Sequence, residues 1–117
     1  MFFVHTAQVH AQLMARAVIA ACRGDGWQTD LQPQLLHTLL NLVLQQDLDI
    51  ERLEPASRAE VIASLTSQEE RLELIQLMCA MEILCNPVPE AMEAEVEDWA
   101  EALGVEEPTL MFLRDLA

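Results

Sequence analysis

The segment from Arg71 to Cys85, RLELIQLMCAMEILC, constrains this chain more than any other. After Leu74 only Gln76 and Glu82 are polar. The apolar residues fall on two overlapping stripes at helical spacing, Leu72, Ile75, Cys79 and Ile83 on one and Leu74, Met78, Met81 and Cys85 on the other. A helix of this kind must be covered from several sides, which makes it the expected centre of the fold. A strand is the competing reading of a short apolar run, but this run is too long, lacks valine and follows a helix start. The start is Thr66 or Ser67, whose hydroxyl can accept from a free amide N–H, with Glu69 and Glu70 behind it to return the bond. In such surroundings Glu82 marks a gap in the packing, has a partner, or belongs to a site. A reach to Arg16, Arg23, Arg71 or a helix N-terminus would compensate its charge, and a polar groove shared with Gln76 is the other arrangement.

The 117 residues suffice for one domain with a real core and not for two, so residues 1–117 read as a single domain. The last helix runs to the final residue without a cap or polar tail, as in a domain that a longer chain would continue. A 52% hydrophobic content with 22% charged residues is globular rather than disordered. Twenty acids stand against six bases, all arginine, for a net charge of −14. Such a surface repels phosphate backbones and anionic headgroups, which argues against nucleic acid and membranes and for cations or basic protein surfaces. No basic leader precedes the first arginine, and no apolar run reaches the roughly 18–20 residues that span a bilayer. The expectation is a soluble protein of the cytoplasm. Cys22, Cys79 and Cys85 sit in apolar segments and read as reduced core thiols.

Along the chain, residues 6–23 form a first helix capped at Thr6, with Val9, Leu13, Ala17 and Ala20 on one face and Ala11, Met14, Val18 and Ala21 widening it. Phe2, Phe3 and Val4 precede it and either fold back on the core or touch a partner. His5 and His10 are five apart, off a common helical face, so they read as surface or interface imidazoles rather than as a metal pair. Gly24, Asp25 and Gly26 end that helix. A second spans residues 31–46, with Leu35, Leu36, Leu39, Leu40, Val43 and Leu44 apolar and His37 on the opposite, solvent stripe. After an acidic connection, Pro55 opens a helix of about three turns to Leu65, with Ala56, Ala59, Val61, Ile62 and Leu65 apolar. The Arg71–Cys85 helix then ends at Asn86, Pro87, Val88 and Pro89. Residues 89–103 resume with Met92, Val96, Trp99 and Leu103 inward, Gly104 closes that helix, and Pro108 opens a last one with Leu110, Phe112, Leu113, Leu116 and Ala117 inward. The architecture expected is all-α, a bundle of five to six helices. In each half an apolar helix runs into a Gly/Pro/Asn turn and a further helix, a weak repeat that implies two helical hairpins.

Asp25-Gly26 after an alanine-rich helix, the connection DLDIERLEPASRAEVIASLTSQEERLELIQLMCAMEIL, and the tryptophan helix ending in EALGV together resemble the tellurite-resistance TerB-like family of small all-helical bacterial proteins, over roughly residues 10–115. The resemblance implies a stress- or tellurite-linked role, and acidic clusters at paired turns that hold a divalent cation such as Ca²⁺. Carried onto this chain, that site would be Asp25, Asp30, Glu90 and Glu93. The chain departs from the family at Gln32, where an acid is expected, and at Cys85-Asn86, which replaces the second Asp-Gly turn. Ca²⁺ takes about six to eight oxygens at one point, and the spacing here is not that of an EF-hand.

No zinc, nucleotide or hydrolase motif is present, and metal-assisted hydrolysis would need a tighter ligand cluster. From Glu82 to the end ten acids accompany one arginine, a local sum of −9. Such a run is either a solvated face or a surface that docks a basic partner through Glu93, Glu97 and Glu101. The functional expectation is therefore a non-enzymatic interaction module, with a cation-sensing domain as the alternative and homo-oligomerisation left open.

Overall fold

A computed structural model describes residues 10–23, 34, 36–38, 41, 52–84 and 90–116. They form an all-α bundle, and no strand occurs among the described residues. Among the described residues five complete helices are present: α1 (Ala11–Arg23), α2 (Arg58–Ser64), α3 (Gln68–Leu84), α4 (Glu90–Ala102) and α5 (Glu107–Leu116). Residues 34, 36–38 and 41 are also helical, with Leu36 in the core and His37 on the surface as the leucine pattern predicts. Beside the exposed His37, Asn41 Nδ2 lies 2.7 Å from the imidazole Nε2 one turn away.

α3 is the hub. Leu74, Ile75, Leu77, Met78 and Met81 are fully buried, and the helix packs against α1, α4 and α5. Among the described residues of its predicted apolar stripes only Ile83 is solvent-exposed, and Cys85 lies outside the described residues. α1 lies against both α3 and α4 through a face broader than its first stripe, with Met14, Ala15, Ala17, Val18, Ile19, Ala21 and Cys22 buried. The two apolar helices thus meet at the centre, as the repeat implies. The turns that follow each of them lie outside the described residues.

Local chemistry sets the helix ends. Ser67 caps α3, its hydroxyl accepting from the Glu70 N–H at 3.4 Å. Ser57 does the same for α2 by accepting from Glu60 N–H at 3.2 Å. That cap corrects the expected start at Pro55. Residues 53–57 are not helical, and the Ala56 N–H donates to the Arg16 carbonyl 3.2 Å away, so α2 is a short helix beginning at Arg58. Its Ile62 and Ala59 lie on the exposed side.

α4 ends in a Schellman motif. Val105 N–H donates to the Ala100 carbonyl at 2.8 Å and Gly104 N–H to the Glu101 carbonyl at 3.1 Å. Gly104 takes φ 76°, a left-handed conformation that glycine enters without a Cβ clash. Val105 and Ala100, the residues this motif brings together, are both buried. The tight turn folds α5 back against α4 and α3. In α5, Leu110 and Leu113 face inward as expected, but Phe112 does not: it is 60% exposed.

Candidate functional site: an acidic cleft between α4 and α5

α4 carries its carboxylates on more than one face. Met92, Val96, Trp99 and Ala100 form the buried stripe. On one flank Glu95 and Asp98 face Arg58 of α2, whose Nη2 lies 3.1 Å from Glu95 Oε2 and 3.7 Å from Asp98 Oδ2. That guanidinium also sits 5.8 Å from the Trp99 ring centroid, within cation–π range. On the other flank Glu93, Glu97 and Glu101 follow one another at i, i+4 and i+8, all exposed. Of this second set, Glu97 and Glu101 line the groove between α4 and α5, while Glu93 lines a smaller cleft beside Glu82.

The groove is a cleft of about 620 Å³. Glu97, Glu101, Glu106 and Glu107 supply its carboxylates, while Ala100, Val105, Leu110 and Met111 supply its apolar floor and wall. It exists because the Schellman turn sends α5 back along α4 at a point where Ala100 and Gly104 leave little side chain to fill the gap. Arg114 lies at its edge and also lines a second cleft, of about 250 Å³, with Cys79, Glu82, Ile83 and Glu93.

Arg114 answers the question posed by Glu82. Its Nε donates to Glu82 Oε1 at 3.0 Å and its Nη2 to Glu82 Oε2 at 2.9 Å, a two-pronged pair between α5 and α3. Nη2 also reaches the Glu93 carbonyl and Nη1 reaches Glu97 Oε1, both at the longer distance of 3.4 Å. The paired arrangement is therefore the correct one, but with a partner different from those the sequence offered. Arg16 is engaged elsewhere, with both Glu60 oxygens at 2.9 and 3.0 Å and with the Glu54 carbonyl. Arg71 is too: it donates to the carbonyls of Leu65 at 2.6 Å, Ile62 at 3.1 Å and Leu103 at 3.2 Å. These carbonyls end α2 and α4, where the helix dipole favours a cation. Gln76, expected beside Glu82 in a polar groove, does not line the Glu82 cleft. Six residues turn a helix by about 240°, which places the two on different faces.

The electrostatics of this corner follow from its burial. Desolvation raises the Glu82 pKa, the hydrogen bonds and charge of Arg114 pull it back, Glu93 and Glu97 raise it again, and the net shift is upward. Burial works against the charged form of Arg114, but the bonds to Glu82 and the surrounding carboxylates outweigh it and leave that group shifted upward. The neighbouring Cys79 thiol is pushed up to about 12, first by burial and then by Glu82, so it stays protonated and a poor nucleophile.

Of the other residues expected at a site, Asp25 and Asp30 lie outside the described residues. Glu90 and Glu93 are exposed in the first turn of α4. Among the described residues no group of three or more His, Cys, Asp or Glu is arranged to hold a metal ion. One pairing had no counterpart in the sequence reading. His10, taken as a surface or interface imidazole, meets the buried carboxylate of Glu70 through Nδ1, tying the start of α1 to the first turn of α3. Sixty positions of separation left no local signal for it. Among the described residues no helix is long and apolar enough to cross a membrane.

Fold and site together define a class: an all-α bundle with an acidic, apolar-floored cleft at one helical hairpin. Compared with protein-family models, curated proteins and solved structures, the chain matches none of them.

Proposed function

We propose that this protein is a non-enzymatic interaction module of the TerB-like kind, which uses the open acidic flank of α4 to receive a basic protein surface. The observation that carries this reading is the division of the α4 carboxylates. Glu95 is hydrogen-bonded to Arg58, with Asp98 3.7 Å from the same guanidinium, whereas Glu93, Glu97 and Glu101 form an exposed stripe on the flank towards α5, where Glu97 and Glu101 line a cleft with further carboxylates at Glu106 and Glu107. With Arg114 shared between Glu82 and Glu97, this side of the hairpin keeps an excess of negative charge that attracts cationic partners. The resemblance of the Asp25-Gly26 turn, the residue 47–84 connection and the tryptophan helix to the TerB-like family adds a stress-associated, cytoplasmic setting to the same proposal.

The test uses an arginine-rich peptide as the probe. Binding should weaken steeply between low and physiological salt, since exposed charges are screened over about 8–10 Å. Lysine at Glu93, Glu97 and Glu101 together should abolish it. Lysine at Glu54, Glu69 and Asp115, which are exposed and line neither cleft, makes the same change in net charge and should leave most of it. Equal loss in both triple variants would mean that net charge alone, and no particular face, attracts the peptide.

A further inference from the structure

An acidic stripe attracts cations of any shape, but the α4/α5 cleft is more selective than a stripe. Its floor and wall are apolar, and Met111 at its edge is 59% exposed. We infer that the cleft is the seat of one amphipathic helix of the partner, whose apolar side chains enter between α4 and α5 while its arginine or lysine residues meet Glu97, Glu101, Glu106 and Glu107. This rests on the reading of the acidic flank as a protein-docking surface and commits it to an occupant.

Three observations select that occupant. The carboxylates lie on the α4 rim and at the Schellman turn that closes one end, so positive charge must flank the apolar contact rather than replace it. Phosphorylated and other acidic peptides are repelled, and a second copy of a chain with net charge −14 is opposed by the same field. Extended peptides usually add to a sheet edge or lie on aromatic side chains. No strand exists among the described residues, and no aromatic residue lines the cleft. A groove between two helices suits the remaining mode, in which a helix presents apolar anchors at i, i+3, i+4 and i+7. Arg114 shapes the rim: two bonds of 2.9–3.0 Å hold it on Glu82, while its 3.4 Å reach to the exposed Glu97 is the longer contact. An incoming guanidinium can take over Glu97 without disturbing the Glu82 pair.

The experiment measures binding of the full chain to a labelled helix-forming peptide of about four turns, with leucines at the anchor spacing and arginines elsewhere, against a scrambled peptide of the same composition. The patterned peptide should bind at least about tenfold more tightly. Met111→Ser should remove that advantage. Phe112→Ser, at a neighbouring residue that is equally exposed but does not line the cleft, should leave it intact. Both side chains are exposed, so neither change threatens the fold. If the two peptides bind alike and Met111→Ser has no effect, the cleft is not the seat and only the acidic-face reading survives. If neither peptide binds at low salt, both readings fall. Concentration-dependent self-association that Met111→Ser abolishes would assign the cleft to a second copy and overturn the inference.

Discussion

Arg71 and Arg114 occupy two corners of the bundle and do opposite kinds of work. Both extend from one helix to hold another, and both are partly buried. Among the described residues Arg71 donates to neutral groups, the backbone carbonyls of Leu65, Ile62 and Leu103, so one guanidinium closes the C-termini of α2 and α4. Arg114 faces carboxylates: Glu82 beneath it and Glu97 at the rim. The first corner therefore satisfies backbone groups that would otherwise need water, whereas the second neutralises a charge that the core cannot hold alone. A corner built on carbonyls has little left to offer a ligand, and a corner built on excess carboxylates still attracts cations.

The sharpest way to break this comparison is to remove the two cations in turn. Arg114→Ala strands Glu82, whose side chain is only 7% exposed, and breaking such a pair should cost about 3 kcal/mol in urea unfolding at neutral pH. The orphaned carboxylate can escape by taking a proton, so the loss should shrink as the pH is lowered. Leucine at both Glu82 and Arg114 should recover most of the stability, because the pair gives way to apolar packing. A double variant no better than Arg114→Ala would show that the guanidinium matters for something other than compensating Glu82.

Arg71→Ala should cost somewhat less, about 2 kcal/mol, because the freed carbonyls lie at helix ends that water can reach. Unlike the Arg114 effect, this loss should be the same at pH 5 and pH 7, since its partners do not titrate. A strong pH dependence would place a carboxylate at this corner and erase the contrast.

The smallest effect is the pH slope of the wild-type protein. Glu82 has a folded pKa above its unfolded value, so between the two values the folded protein binds more protons. Stability must then fall as pH rises through that window, which begins at the ordinary carboxylate value and extends upward. Glu82→Gln removes the group and should flatten the melting temperature against pH over this range. An unchanged slope would mean that the other carboxylates account for all of it.

Much of this fold was legible because its signals are local. The α3 segment is too apolar to be anything but central, and its Leu74, Met78 and Met81 stripe is buried as read. The spacing of Met92, Val96, Trp99 and Leu103 set the inner face of α4, and Gly104 closes it. Phe112 and Ile83 misled because hydrophobicity was taken as burial, whereas each lies on the open side of its helix. The candidate site was half legible. Glu93, Glu97 and Glu101 could be grouped by their spacing, but nothing in their spacing separates them from Glu95 and Asp98, since only α2 brings Arg58 to one flank.

Sequence alone determined an all-α chain, a central α3 with its cap at Thr66 or Ser67, the glycine turn and a strongly acidic C-terminal third, because periodicity, capping and charge are properties of neighbouring residues. Tertiary structure alone decided which arginine Glu82 receives, which carboxylates remain open, and that a cleft lies beside them. Those outcomes depend on how helices are set against one another. A guanidinium takes whichever carboxylate or carbonyl the packing brings within about 3 Å, whatever the distance along the chain.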